Sequence, residues 1–223
     1  MKLNIGIDLG QARDATALAA VDSYRADAEP SGDARRPRRL KHHDLIHLEK
    51  LQPGLSYPAQ VAAIVSIVDA LAEGGRSPVL WVDATGVGRP VVDLLRRDCP
   101  YTLNAVTIGS GSEVVRHGSD ISVPKADLIG CLEVVLSTRR LLFAPDLPLA
   151  KDLDAELRAF SRELSATGRP LYEGGRGSHD DLVLALALAL WAAERGGGGG
   201  EAYREMMASQ IASRRLDGSR PRV

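Results

Sequence analysis

Gly177-Ser178-His179-Asp180-Asp181-Leu182-Val183-Leu184-Ala185-Leu186-Ala187-Leu188-Ala189-Leu190-Trp191 sets two adjacent carboxylates at the mouth of an apolar run. No polar side chain follows Asp181 until Glu194. The run is Leu and Ala on every side, which predicts a buried helix, and both residues are strong helix formers. Ser178 is placed as an N-cap, with Asp181 three residues later as in a capping box. On that reading the two acids only complement the positive end of the helix dipole. One capping acid is sufficient, however. A second beside a buried helix sets paired negative charge near the core, where a cation is wanted.

Working outward, the first strand is the next informative piece. In residues 3–10, Leu3, Ile5, Ile7 and Leu9 alternate with Asn4, Gly6, Asp8 and Gly10. This predicts one greasy face and one face bare except for Asp8. The flanking glycines leave room for a bulky group to approach that carboxylate. A tight turn containing Asp14 leads to a second strand over 16–24. Residues 25–37 are polar, with two prolines and a glycine, and predict a hairpin loop. A third strand resumes over 40–51, so the opening is an antiparallel meander. Across its tip run Arg35, Arg36, Arg38, Arg39 and Lys41, cations able to neutralise phosphates or simply to face water.

Residues 57–73 carry Val61, Ile64, Val65, Val68 and Leu71 at helical spacing, closed by Gly74-Gly75. Residues 78–83 form a short apolar run, as in a strand buried on both faces, ending in Asp83 and a turn, Ala84-Thr85-Gly86-Val87-Gly88. Ligands bind at such carboxyl ends of parallel strands. A helix from about Val91, a strand over 102–108, a polar loop over 109–122 and a helix over 125–138 follow. The remainder reads as a short strand at 141–143, a helix over 147–160 and a hairpin over 161–173. Gly196 to Gly200 are five consecutive glycines, a flexible tether. The expected organisation is one α/β domain over residues 1–195, then a tether and basic tail over 196–223.

Composition narrows the classes. The chain has 223 residues and a formal net charge of −1, so no global field draws it to nucleic acid or anionic lipid. Cys99 and Cys131 lack zinc-ligand spacing, and His42, His43 and His47 are expected on a solvated strand. An acid within the first eight residues argues against a signal peptide, and the longest apolar run is too short to span a bilayer. A reducing, cytoplasmic compartment is expected.

Asp8, Asp83 and the Asp180/Asp181 pair thus stand at strand or helix ends on separate elements. Carboxylates without Cys or His form a hard-oxygen site suited to Mg²⁺ or Mn²⁺. Two ions held this way clamp the attacking water and the leaving oxygen in phosphodiester hydrolysis.

Five pieces of the sequence, in order, are Gly6-Ile7-Asp8-Leu9-Gly10 with Asp14-Ala15-Thr16; Val82 to Gly88; Pro124 to Ile129; Glu156-Leu157 before Phe160; and His179 to Val183 with Ala185-Leu186-Ala187. Together they resemble the nuclease domain of phage terminase large subunits, which has the ribonuclease H-like, or resolvase-like, fold. The resemblance covers residues 3 to about 193. It implies a mixed sheet, an antiparallel meander joined to parallel strands, flanked by helices. It also implies a metal-dependent DNA endonuclease that cuts concatemeric viral DNA during genome packaging. Asp8, Asp83 and one of Asp180/Asp181 would hold the catalytic metals, with Asp14 as an auxiliary acid. Helix phase favours Asp181 as the direct ligand. Lys125 and His179, in the matching pieces, are further candidates for contact with double-stranded DNA.

The family's ATPase motor has no counterpart here, since the sequence contains no GxxxxGK[ST] loop. Either the chain is a separate nuclease fragment or subunit, or the motor is on another chain, with a small terminase subunit and a portal as candidate partners. Localisation would be the host cytoplasm if the chain is phage-encoded. A Holliday-junction-resolvase-like or transposase-like nuclease shares the same acids. A non-catalytic DNA-binding or assembly module is the further alternative, and the acids argue against it, because unpaired buried carboxylates are costly without a metal. The actin and sugar-kinase superfamily shares the Gly-Ile-Asp-Leu-Gly strand but needs two such domains.

Overall fold

A computed structural model describes residues 2–10, 14–27, 39–86, 88–167 and 180–195, with residues 27, 39, 88 and 161–167 described by backbone alone. Among these, eight strands form one sheet in the order β6-β7-β5-β4-β1-β2-β3-β8. The strands are β1 (Lys2–Asp8), β2 (Thr16–Asp27), β3 (Arg39–Leu51), β4 (Ser77–Asp83), β5 (Thr102–Gly109), β6 (Val115–His117), β7 (Asp120–Pro124) and β8 (Leu141–Phe143). The helices are α1 (Tyr57–Ala72), α2 (Gly88–Asp98), α3 (Lys125–Ser137), α4 (Ala150–Thr167) and α5 (Asp181–Arg195). The meander β1-β2-β3 is antiparallel, as its alternation predicted, while β4 joins β1 in parallel and β5 and β7 continue that direction.

Strand alternation sorts the side chains onto two faces. Leu3, Ile5 and Ile7 of β1 pack with Leu80 and Val82 of β4 beneath Val61, Ile64 and Val68 of α1 and Val92 and Leu95 of α2. The opposite face, with Ala17, Ala19 and Trp81, carries α5, α3 and α4. α5 is buried all round because the sheet lies on one side of it and α3 and α4 on the others. Burying each leucine stabilises the fold by about 1.5–3 kcal/mol, so the helix is held by tertiary packing, not by propensity alone.

The face of β1 expected to be bare is covered by backbone. A Cβ on Gly6 would meet Ala185 O at 2.0 Å and Ala189 N at 2.7 Å. Ala185 and Ala189 are one turn apart, so this small-residue track is the stripe of α5 laid on the sheet. The hydrogen atom in place of a side chain at Gly6, facing a helix stripe that carries only methyl groups, permits this close approach.

The far end of α5 is tied by a buried polar network. Glu194 Oε1 accepts from His43 Nε2 and from Arg140 Nη1, each at 2.7 Å, and Arg140 Nη1 also donates to Lys41 O at 3.0 Å. A carboxylate only accepts, so His43 carries its proton on Nε2, and Nδ1 accepts from Ser23 Oγ at 2.9 Å. Burial holds the His43 pKa below its usual value, against the pull of Glu194. Burial pushes Glu194 upward, yet its bonds from His43 and Arg140 outweigh it and set the carboxyl at about 2.

Several expectations are corrected. His43 is fully buried, not solvated, because α5 ends over β3. The stretch 109–122 is not a plain loop: β6 and β7 pair within it as an antiparallel hairpin. The hairpin expected from Ser161 gives way to helix, since α4 continues to Thr167. Residues 168–179 and 196–223, where the rest of that hairpin, the tether and the tail were expected, lie outside the described residues. No helix among the described residues is long and apolar enough to cross a membrane.

Candidate active site

Sheet register brings the first two acids together. β1 and β4 pair in parallel with Ile7 opposite Val82, so Asp8 and Asp83 end adjacent strands side by side. Ile7 and Val82 belong to the α1/α2 face, and alternation therefore turns both carboxylates to the α5 face. The Asp83 turn is fixed locally. Its Oδ1 accepts from Thr85 N at 2.8 Å, Gly86 takes a positive φ of 68°, and Thr85 Oγ1 accepts from Ile108 N at 2.9 Å. Burial raises the Asp83 pKa, opposed by the Thr85 bonds and by the charge of Lys125 at the start of α3. Lys125 thus stands within electrostatic reach of the acids.

The α5 contact at Gly6 aims the next acid. Asp181 is one turn before Ala185 on the same track, and α5 runs antiparallel to β1, so the helix opens at the Asp8 end. The described helix begins at Asp181, which puts Asp180 at the N-cap, the position expected of Ser178. Leu184 N donates to Asp180 O at 2.9 Å, and Ser178 and His179 lie outside the described residues. The cap comes instead from α4: Glu156 Oε2 accepts from Leu182 N at 3.0 Å and Val183 N at 3.4 Å. Glu156 Oε1 accepts from Lys50 Nζ at 2.7 Å, and that ammonium lies 3.5 Å from Asp181 Oδ2.

Asp14 is exposed on the turn between β1 and β2. That turn is tight, since a Cβ on Gly10 would meet Asp14 O at 2.2 Å. Gly10 N donates to Thr16 Oγ1 at 3.0 Å, and the buried Gln60 of α1 donates from Nε2 to Gly10 O at 3.2 Å and also to Thr16 Oγ1.

These acids act on one another through Asp8. Its pKa is raised well above the usual carboxylate range, first by burial, then by the charges of Asp83, Asp181, Asp180 and Asp14 in that order. The other four acids singled out in the sequence therefore lie within electrostatic reach of Asp8. Among the described residues they are not drawn into one ready coordination shell, and no group of three His, Cys, Asp or Glu side chains is closed tightly enough to hold an ion. The donor set is wholly oxygen and strongly negative, which fits a hard divalent cation.

The basic run lies elsewhere. Lys41 and Lys50 are nine positions apart on β3, about 30 Å at the rise of a strand, so Lys41 stands at the opposite end of the sheet from the acids. Its Nζ donates to Ala193 O at the end of α5, and burial lowers its pKa. Lys41 is thus a strut for α5 and not the free phosphate contact expected of it. Arg39 pairs with Asp27 at the tip of the β2–β3 ladder, and Arg35, Arg36 and Arg38 lie outside the described residues.

Glu156 and Lys50 were not identified as site residues in the sequence. Glu156 falls in one of the family-like pieces, which was the available signal. Lys50 sits in an alternating strand with other charges, and nothing local marks it.

No protein-family model matches the sequence, and no curated protein matches it either. Among solved structures, the human cytomegalovirus terminase nuclease domain superposes with a TM-score of 0.51 at 10% identity, over 87% of this chain and 84% of that one. The fold is ribonuclease H-like. Two structures of Thermus thermophilus RuvC are also similar. One has a TM-score of 0.42 and 19% identity, covering 89% of this chain and 97% of that one. The other, in complex with a Holliday junction substrate, has a TM-score of 0.39 and 16% identity, covering 87% and 96%. In this ribonuclease H-like sheet the acids occupy the carboxyl ends of the adjacent central strands β1 and β4, with α5 opening over them.

Proposed function

We propose that the chain is a divalent-cation-dependent DNA endonuclease of the terminase kind, cutting double-stranded viral DNA during genome packaging. The observation that carries this is Asp8 and Asp83 side by side at the ends of the central strands, with Asp181, Asp180 and Asp14 within electrostatic reach of the half-buried Asp8. The terminase part rests on the ordered sequence pieces and on the fold shared with a terminase nuclease domain. Bound Mg²⁺ or Mn²⁺ would activate water and stabilise charge on the leaving oxygen. Asp8, Asp83 and Asp181 would hold the ions directly, while Asp180 and Asp14 would add charge through water. The Thr85 bond orients Asp83, and Gly6 lets α5 lie close enough to present Asp181. Lys125, beside Asp83, would pair with a phosphate of the cut strand, and His179 would contact the same DNA. Translocation would come from an ATPase motor on another chain, assembled with a small subunit and a portal.

The test is incubation of the purified chain with supercoiled plasmid in Mn²⁺ or Mg²⁺, with EDTA as control. Nicked and linear products should form only with the cation. Asp8→Asn, Asp83→Asn and Asp181→Asn should each lower turnover by about 10²-fold or more, and Asp180→Asn should weaken it less. Near-normal cleavage by Asp8→Asn or Asp83→Asn would sink the assignment.

A further inference from the structure

Lys50 is a cation inside a nest of acids. Across the sheet Asp8 faces Ala17 and Ala17 faces Lys50, so the three share one face in a line across β1, β2 and β3. Ala17, between them, carries only a methyl group. Lys50 makes two unequal contacts there: 2.7 Å to Glu156, a charge-assisted hydrogen bond, and 3.5 Å to Asp181, an ion pair beyond good hydrogen-bond length. Glu156 is fully committed, with Oε1 on Lys50 and Oε2 on the first turn of α5. It therefore has little capacity left to serve as a ligand, although it lies beside Asp181.

We propose that Lys50 is an internal counter-ion of Asp181 that a divalent cation displaces on binding, with Glu156 as the positioning residue that keeps both the lysine and the start of α5 in place. The inference rests on the metal-dependent reading above and deepens it. The long contact is the one that gives way and the short one is retained, so the lysine moves aside without leaving the site. An ammonium so placed steadies the carboxylates in the ion-free protein and opposes the incoming cation at the same time.

The test is a calorimetric titration of the full chain with MnCl₂, comparing wild type with Lys50→Met and Lys50→Arg, alongside thermal melts in EDTA and in saturating Mn²⁺. Removing one positive charge beside the ion should tighten Mn²⁺ binding about tenfold in Lys50→Met, and Lys50→Arg should stay near wild type. Lys50→Met should melt lower than wild type in EDTA, and the gap should close in Mn²⁺. If Lys50→Met does not fold, Lys50→Gln carries the same prediction. Unchanged or weaker Mn²⁺ affinity in the neutral variant overturns the counter-ion role and leaves the nuclease reading standing. A wild-type chain that binds no Mn²⁺ overturns both.

Discussion

Gly6→Ala tests how the site is assembled, because the only change is one methyl group between β1 and α5. The added Cβ would sit 2.0 Å from Ala185 O, about 1.4 Å short of ordinary van der Waals contact at 3.4 Å. The obstacle is helix backbone and cannot rotate away, so α5 must lift or slide as a body. Overpacking of this kind costs about 1–3 kcal/mol, and the rigidity of the neighbour places this case near 3. In a domain of this size that is a fall of roughly 6–12 °C in Tm. Alanine would otherwise gain about 0.5–1 kcal/mol over glycine inside a strand, so the fall runs against the intrinsic trend. Lifting α5 also carries Asp181 away from Asp8, and a misplacement of about 1 Å costs on the order of 10²-fold in rate. Thermal melts in EDTA, together with plasmid cleavage in Mn²⁺ well below the lowered Tm, measure the two effects separately. An unchanged Tm with undiminished cleavage would refute the placement of α5 on Gly6, and with it the derivation of the Asp181 position.

Asp8→Asn should stabilise the ion-free protein. The folded-state pKa of Asp8 is raised, so its ionisation opposes folding increasingly as pH rises from the usual carboxylate range through the raised value. Melts in EDTA should therefore coincide for wild type and mutant near pH 4 and separate toward pH 8, with the mutant higher; in Mn²⁺ the order should reverse as the ion stabilises wild type. Glu194 has the opposite sign: its pKa is lowered to about 2, so its contribution is present above the ordinary Glu range and lost as pH falls toward 2. That contribution is of the order of a few kcal/mol, and Glu194→Gln should flatten the acid limb of a denaturant-midpoint-against-pH curve. If Arg35, Arg36, Arg38 and Arg39 touch DNA phosphates, changing all four to Ala should shallow the slope of log binding against log salt by about 3–4; an unchanged slope would make the tip a solvated loop.

The sequence by itself determined the elements and where their acids fall. Period-two alternation in β1, the glycine stop after α1 and the unbroken apolar run of α5 are local signals, and each yielded its element, with Asp8 ending β1 and Asp181 opening α5. Gly6 and the Ala185/Ala189 track were also visible as small residues. Only the tertiary structure decided that they meet, because helix phase and strand register are relations between distant segments. The same holds for Asp8 beside Asp83, which depends on β1 pairing with β4 across an intervening meander and helix. Glu156 capping α5 and Lys50 reaching Asp181 join positions 26 and 131 apart in the chain. Lys50 carries no mark in its own neighbourhood, and Glu156 only its place in a family-like piece. His43 reads as one polar residue of a charged strand until α5 ends over it, and Lys41 reads as part of a basic run until Ala193 O captures its ammonium. Local periodicity fixes which face of an element is apolar. What covers that face, and which charges burial then forces into pairs, is settled only when the elements pack.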